Sequence, residues 1–198
     1  MTDVRWADAD ELVDHVAAEM QVGGVFALPG GATPLPYLAE LAALPLGWDR
    51  VTLLPGDERC VPHDDPLSNF GALSRAFADT DAVLLPLSEG LAIPPLDLVW
   101  LGVGMDGHVV SIFPNVDPAR DAETGVIALT PDPLPPEAPV PRLSLTLATI
   151  AAADHLVLLI KGDAKRRAVE AALAGGELPV VRLLRAARGA VTIFHDPA

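Results

Sequence analysis

An acid and a histidine two residues apart, Asp106 and His108, follow an apolar run in the stretch LVWLGVGMDGHVVSIFP, from Leu98 to Pro114. Val99, Trp100 and Leu101 read as a buried parallel strand, and Gly102, Gly104 and Gly107 as the turn that follows it. Catalytic groups of α/β enzymes sit where strands end. An imidazole held there can take a proton from water near neutral pH, because its unperturbed pKa lies closest to that range. Asp106 can orient the ring or shape the turn, and the spacing fits both. A structural turn carrying a surface histidine is the plainer alternative.

Three further constellations carry chemistry of a different kind. Gly30, Gly31, Ala32 and Thr33 follow a short apolar run and precede the helical run PLPYLAELAAL. Free backbone N–H groups and the helix dipole favour a phosphate at such a turn, with a purely structural turn as the plainer alternative. It lacks the lysine of a P-loop and the spacing of a dinucleotide fingerprint, so ATP and NAD are disfavoured. Asp57, Glu58 and Arg59 come directly after another apolar strand, and Arg59 is a candidate for an anionic group. Asp64, Asp65, Ser68 and Asn69 read as turn formers and helix caps. Arg142 opens RLSLTLATI, and Lys165 lies at the strand-to-helix junction of LVLLIKGDAKRRAVEAAL. Cations at a helix N-terminus oppose the dipole, a penalty that a bound anion removes. His15, His63, His155 and His195 have no comparable surroundings and read as structural or surface residues.

Positioning these groups requires alternating strands and helices. Helices are expected at residues 8 to 21, along PLPYLAELAAL and at Ala164 to Ala174. Thr33 is expected to cap the second of these, with Pro34 at its first position. Strands are expected at Val25 to Leu28, Val51 to Leu54, Ala82 to Leu85, His155 to Ile160 and Ala190 to Phe194. The proline-rich residues 130 to 141 read as an ordered surface loop near the site. This alternation favours an α/β fold with a mostly parallel sheet covered by helices, and the 198 residues suffice for one domain.

Composition narrows the partners. A net charge of −14 disfavours nucleic acid, which wants a basic footprint, so an anionic substrate must meet a local cluster of cations. The single cysteine, Cys60, excludes an intrachain disulfide framework and a cysteine-rich zinc site, and a reducing cytoplasm is the natural setting. The acidic N-terminal stretch is unlike a secretory signal, and no apolar run approaches transmembrane length. Monomer and homodimer are both compatible with the acidic surface.

Five motifs in one order, LPGGATP, GDERCVPHDDPLSNFG, LGVGMDGHVVSIFP, PRLSLT and KGDAKRRAVEAAL, cover most of the chain. Together they resemble the glucosamine-6-phosphate isomerase/6-phosphogluconolactonase family. The resemblance implies a Rossmann-like three-layer sandwich. It also implies hydrolysis of 6-phospho-D-glucono-1,5-lactone, without cofactor or metal. Carried onto this chain, it implies His108 as general base, with Gly30, Gly31, Thr33, Arg59 and Lys165 at the substrate phosphate. Arg142 would lie along the sugar or phosphate, and Asp57 matches the acid that acts as base in the deaminases. Arg59 stands where deaminases carry tyrosine, and SIFP follows His108 where they carry Asn-Glu-Pro. Both differences point to the lactonase branch. Pro29 and Ala32 replace common serines, which leaves phosphate contacts in that turn to backbone amides. A glucosamine-6-phosphate isomerase or deaminase and a non-catalytic sugar-phosphate sensor are the alternatives. A sensor would ordinarily need an attached output domain.

Overall fold

The structure, a computed structural model, describes residues 4–197. Its first elements are β1 (Val4–Asp8), α1 (Leu12–Met20), β2 (Gly24–Leu28) and α2 (Leu35–Ala42). Next come β3 (Val51–Pro55), β4 (Asp57–Arg59), α3 (Asn69–Ala76), β5 (Val83–Leu84) and β6 (Leu98–Gly102). After these follow β7 (Val126–Leu129), β8 (Arg142–Leu145), α4 (Leu147–Ala151) and β9 (His155–Lys161). The last are α5 (Asp163–Leu173), α6 (Pro179–Ala186) and β10 (Ala190–Asp196).

Seven strands form a parallel sheet in the order β1-β10-β9-β6-β2-β3-β5. Its central strands are apolar on both faces, as burial under two helical layers requires. Along β6, Leu98 and Trp100 enter one core with Phe26, Leu38 and Leu73, whereas Val99 and Leu101 enter the other with Ile150, Val169 and Val181. Helices α1 to α3 therefore cover one face and α4 to α6 the other. The chain winds outward through β3 and β5, then returns to lay β6 on the far side of β2. Strand order reverses between β2 and β6, and a crevice opens beyond the carboxyl ends of strands at such a reversal.

A second, antiparallel sheet runs β4-β8-β7 and places Asp57 opposite Ser144 and Arg59 opposite Arg142. The sequence reading contained no such sheet. Charged, three-residue β4 offers no alternating pattern, and its partner lies more than eighty residues downstream.

Two local expectations change. Helix α2 is capped by Pro34 rather than Thr33, and no side chain caps it, so Thr33 is left to the turn. Of Gly102, Gly104 and Gly107, only Gly107 has positive φ, at 79°. Gly102 is the last residue of the strand itself.

Candidate active site

The turn after β2, the turn after β6, β4, and the junction of β9 with α5 enclose a cavity of about 240 Å³ at the strand-order reversal. Gly30, Gly31, Thr33, Asp57, Arg59, His108 and Lys165 line it, joined by Asn69, Val110 and Lys161. Segments spread from residue 30 to residue 165 thus meet in one place.

His108 and Asp106 form a pair within one tight turn. Asp106 Oδ1 lies 2.6 Å from the ring Nδ1 and also accepts the His108 backbone N–H at 3.2 Å. Partial burial works to raise the Asp106 pKa, but the backbone N–H, charge and ring N–H of His108 outweigh it and hold the carboxyl below its ordinary value. An ionised carboxylate only accepts hydrogen bonds, so Nδ1 is assigned the proton and Nε2 keeps its lone pair. Asp106 therefore performs both tasks the sequence allowed, setting the ring and closing the turn. Phe113 supports the ring from the side, with centroids 4.7 Å apart. The N–H groups of Gly104, Gly107 and Ser111 are engaged inside this region, by His108 O, Gly104 O and Ser144 Oγ respectively.

Asp57 belongs to a hydrogen-bond chain. Ser111 Oγ donates to its Oδ2 at 2.5 Å, and Asn69 Nδ2 donates to its Oδ1 at 3.1 Å and its backbone oxygen at 2.8 Å. Burial pushes its carboxyl above the usual range, opposed by the Ser111 hydrogen bond and the Arg59 and Arg142 charges. Val110, directly before Ser111, has φ 47°. A β-branched residue pays roughly 1–3 kcal/mol for that conformation, a cost tolerated mainly where a site needs the geometry.

Glu58 points away from Asp57 and organises the neighbouring helix. It is 4% exposed, and accepts hydrogen bonds from the backbone N–H of Arg59, Asn69 and Phe70 and from Ser68 Oγ, all between 2.7 and 2.9 Å. Ser68 in turn caps α3 by accepting from Gly71 N. A carboxylate at a helix N-terminus is favoured by the free N–H groups and the dipole. Glu58→Gln is expected to cost about 2–3 kcal/mol, since one carboxamide corner would donate where donors already point. A lowered Tm in thermal unfolding checks this, with Glu11→Gln on the exposed surface as the neutral comparison.

The cations are Arg59, Lys161 and Lys165. Arg59 Nη1 is braced by Leu67 O at 2.6 Å, and Lys161 Nζ lies 3.5 Å from Asp196 Oδ2. Burial holds Lys165 below its ordinary pKa. Arg142 is a correction. It is 3% exposed and does not line the cavity, because its guanidinium donates to Ala138 O and Val140 O at 2.6 Å each. It anchors the proline-rich loop and sets a second positive charge behind Arg59. The Cys60 N–H donates to Pro141 O at 2.9 Å, so the loop is tied to the segment after Arg59 without lining the cavity. The other four histidines lie outside the cavity, as does the exposed acidic group of Asp8, Asp10 and Glu11.

Residues 6–92 and 80–193 match the family of glucosamine-6-phosphate isomerases/6-phosphogluconolactonase. The chain belongs to this glucosamine-6-phosphate isomerase/6-phosphogluconolactonase family. Within the family, a 6-phosphogluconolactonase of Pseudomonas putida is 35% identical, over 96% of this chain and 82% of the relative. One of Caulobacter vibrioides is 36% identical, over 92% of this chain and 87% of the relative. The solved 6-phosphogluconolactonase of Leishmania guyanensis superposes with a TM-score of 0.78 at 27% identity, covering 100% of this chain and 97% of that one. A monomeric glucosamine-6-phosphate deaminase shares the fold, with a TM-score of 0.75 at 20% identity, covering 98% of this chain and 97% of that one.

Three residues of the cavity region escaped sequence reasoning. Lys161 ends an apolar strand just before a glycine, a signal as good as the one that identified Lys165. Asn69 reads as an ordinary cap residue, and Ser111 sits in an apolar context; only the fold brings both to Asp57.

Proposed function

We propose that the chain hydrolyses 6-phospho-D-glucono-1,5-lactone to 6-phospho-D-gluconate, the lactonase step of the oxidative pentose phosphate pathway. The reading rests on one observation: His108, held by Asp106, lines the same cavity as the glycine turn and three cations. The relatives named 6-phosphogluconolactonase support it. Arg59 after Asp57-Glu58, and Ser111-Ile112-Phe113-Pro114 after the turn, separate it from the deaminase reading.

The phosphate docks between Gly30, Gly31 and Thr33 on one side and Arg59 and Lys165 on the other, with Lys161 adding charge. Binding energy from this remote group places the lactone carbonyl beside His108. Nε2 takes a proton from water as its oxygen bonds to C1, and the imidazolium then returns that proton to the ring oxygen as the C1–O bond breaks. Asp106 keeps the ring in the productive tautomer and stabilises the imidazolium between these steps. No group of the protein changes covalently. We place the reaction in the cytoplasm, carried by a single domain as monomer or homodimer. None of the described helices is long and apolar enough to cross a membrane.

The test is release of 6-phosphogluconate from freshly generated lactone, read through its coupled oxidation, against a blank without enzyme. Turnover above the blank is expected, and a rate equal to it from folded protein would overturn the reading. Release of ammonia from glucosamine 6-phosphate would move the chain to the deaminase branch.

Lys165 gives this reading a pH dependence. Burial lowers its pKa from the ordinary 10.5, so its positive charge is lost at lower pH than that of an exposed lysine. Affinity for 6-phosphogluconate, measured calorimetrically from pH 7 to 10, is expected to fall with rising pH. Lys165→Arg should remove most of that decline, because guanidinium remains protonated throughout.

A further inference from the structure

Asn69 is 3% exposed, lines the cavity, and is satisfied on one side only. Its Nδ2 is committed to the Asp57 backbone oxygen and carboxylate, and these two acceptors fix which way the amide faces. Its Oδ1 is buried and has no hydrogen-bond partner among the described residues. That oxygen points at the phosphate turn, since a Cβ built on Gly30 would lie 2.0 Å from it. Gly30 is thus required for the space that Asn69 occupies. A buried acceptor left without a donor is destabilising, so such a group in a binding cavity is matched to a donor on the ligand.

Most of the other polar groups of the cavity are matched to other atoms. Arg59, Lys161 and Lys165 are donors suited to anionic oxygen, and His108 Nε2 serves the attacking water. The Asp57 carboxylate is already held by Ser111 and Asn69. Asn69 touches Gly30 with one end of its amide and Asp57 with the other, and so lies between the phosphate turn and the far wall. A substrate anchored there by its phosphate carries hydroxyls on the carbons between that anchor and its reacting carbonyl. We infer that Asn69 Oδ1 accepts a hydrogen bond from one of these ring hydroxyls and is a specificity-determining residue of the site. The inference rests on the lactonase reading above.

The test is a cycle between side chain and substrate. Lactones lacking the hydroxyl at C2, C3 or C4 in turn are compared with the parent compound, using wild type and Asn69→Ala. In wild type, one of the three is expected to lose about tenfold in kcat/KM, the equivalent of one neutral hydrogen bond. In Asn69→Ala that same lactone should perform like the parent, because the acceptor is gone. A purely structural role would lower all four substrates by one common factor, and that outcome overturns the inference. Should Asn69→Ala fail the check of its circular dichroism, Asn69→Ser supplies the same comparison, since its hydroxyl cannot reach the Oδ1 position. Wild type that does not hydrolyse the parent lactone at all refutes the functional reading. Wild type that hydrolyses it without hydroxyl coupling refutes this inference alone.

Discussion

Replacing His108 with alanine is expected to lower kcat by roughly 10²–10⁴-fold, the usual contribution of a positioned general base. KM should change little, because the phosphate contacts come from other segments. Lactones open spontaneously, so the coupled assay must be read against its blank, and the variant should approach that blank. Wild-type turnover in His108→Ala would remove the histidine from the mechanism. Asp106→Asn is expected to lower kcat less. An amide can still meet Nδ1 at 2.6 Å, but its NH₂ end would favour the wrong tautomer and it leaves the imidazolium without a counter-charge.

Gly104→Ala is expected to be nearly as damaging, although it replaces no titratable residue. A Cβ there would stand 2.1 Å from His108 Nδ1 and 2.6 Å from Asp106 Oδ1, so the pair must separate or the turn must move. Displacing a catalytic group by about 1 Å commonly costs on the order of 100-fold in rate. The loss should fall on kcat, with modest change in Tm because the strand and both cores are untouched. Gly175→Ala is the control, as a Cβ there meets nothing within 4 Å and the residue lies outside the cavity. Equal kcat for Gly104→Ala and wild type would mean that the tight pairing is dispensable.

The parts of this molecule legible in sequence are those whose causes are local. Apolar runs flanked by glycine or proline identified β2, β3, β6, β9 and β10. The turns after β2 and β6 were readable as ligand-binding turns because glycine and a helix start are sequence-local features. Edge strand β1 escaped because Val4–Asp8 mixes arginine, aspartate and tryptophan and continues directly into a helical stretch. Helix α6 escaped because Pro179–Ala186 is short and follows glycines, although its apolar residues are deeply buried. Arg142 shows the limit on the functional side. Its charge and position suggested a ligand contact, but Ala138 and Val140 lie close behind it and their carbonyls take the guanidinium. Local spacing does not reveal which of two nearby arginines, paired across β4 and β8, faces the cavity.

The placement of Asp106 also bears on how a cycle of turnover ends. A lactone brings the charge of its phosphate alone, whereas the opened acid carries a carboxylate as well. That second charge arises at the reacting end, where Asp106 is already held in its ionised form by His108. Asp106 stands behind the His108 ring rather than on the cavity wall, and like charges still repel each other across it. The opened acid is therefore expected to bind no more tightly than the lactone, and weak inhibition of hydrolysis by added 6-phosphogluconate checks this.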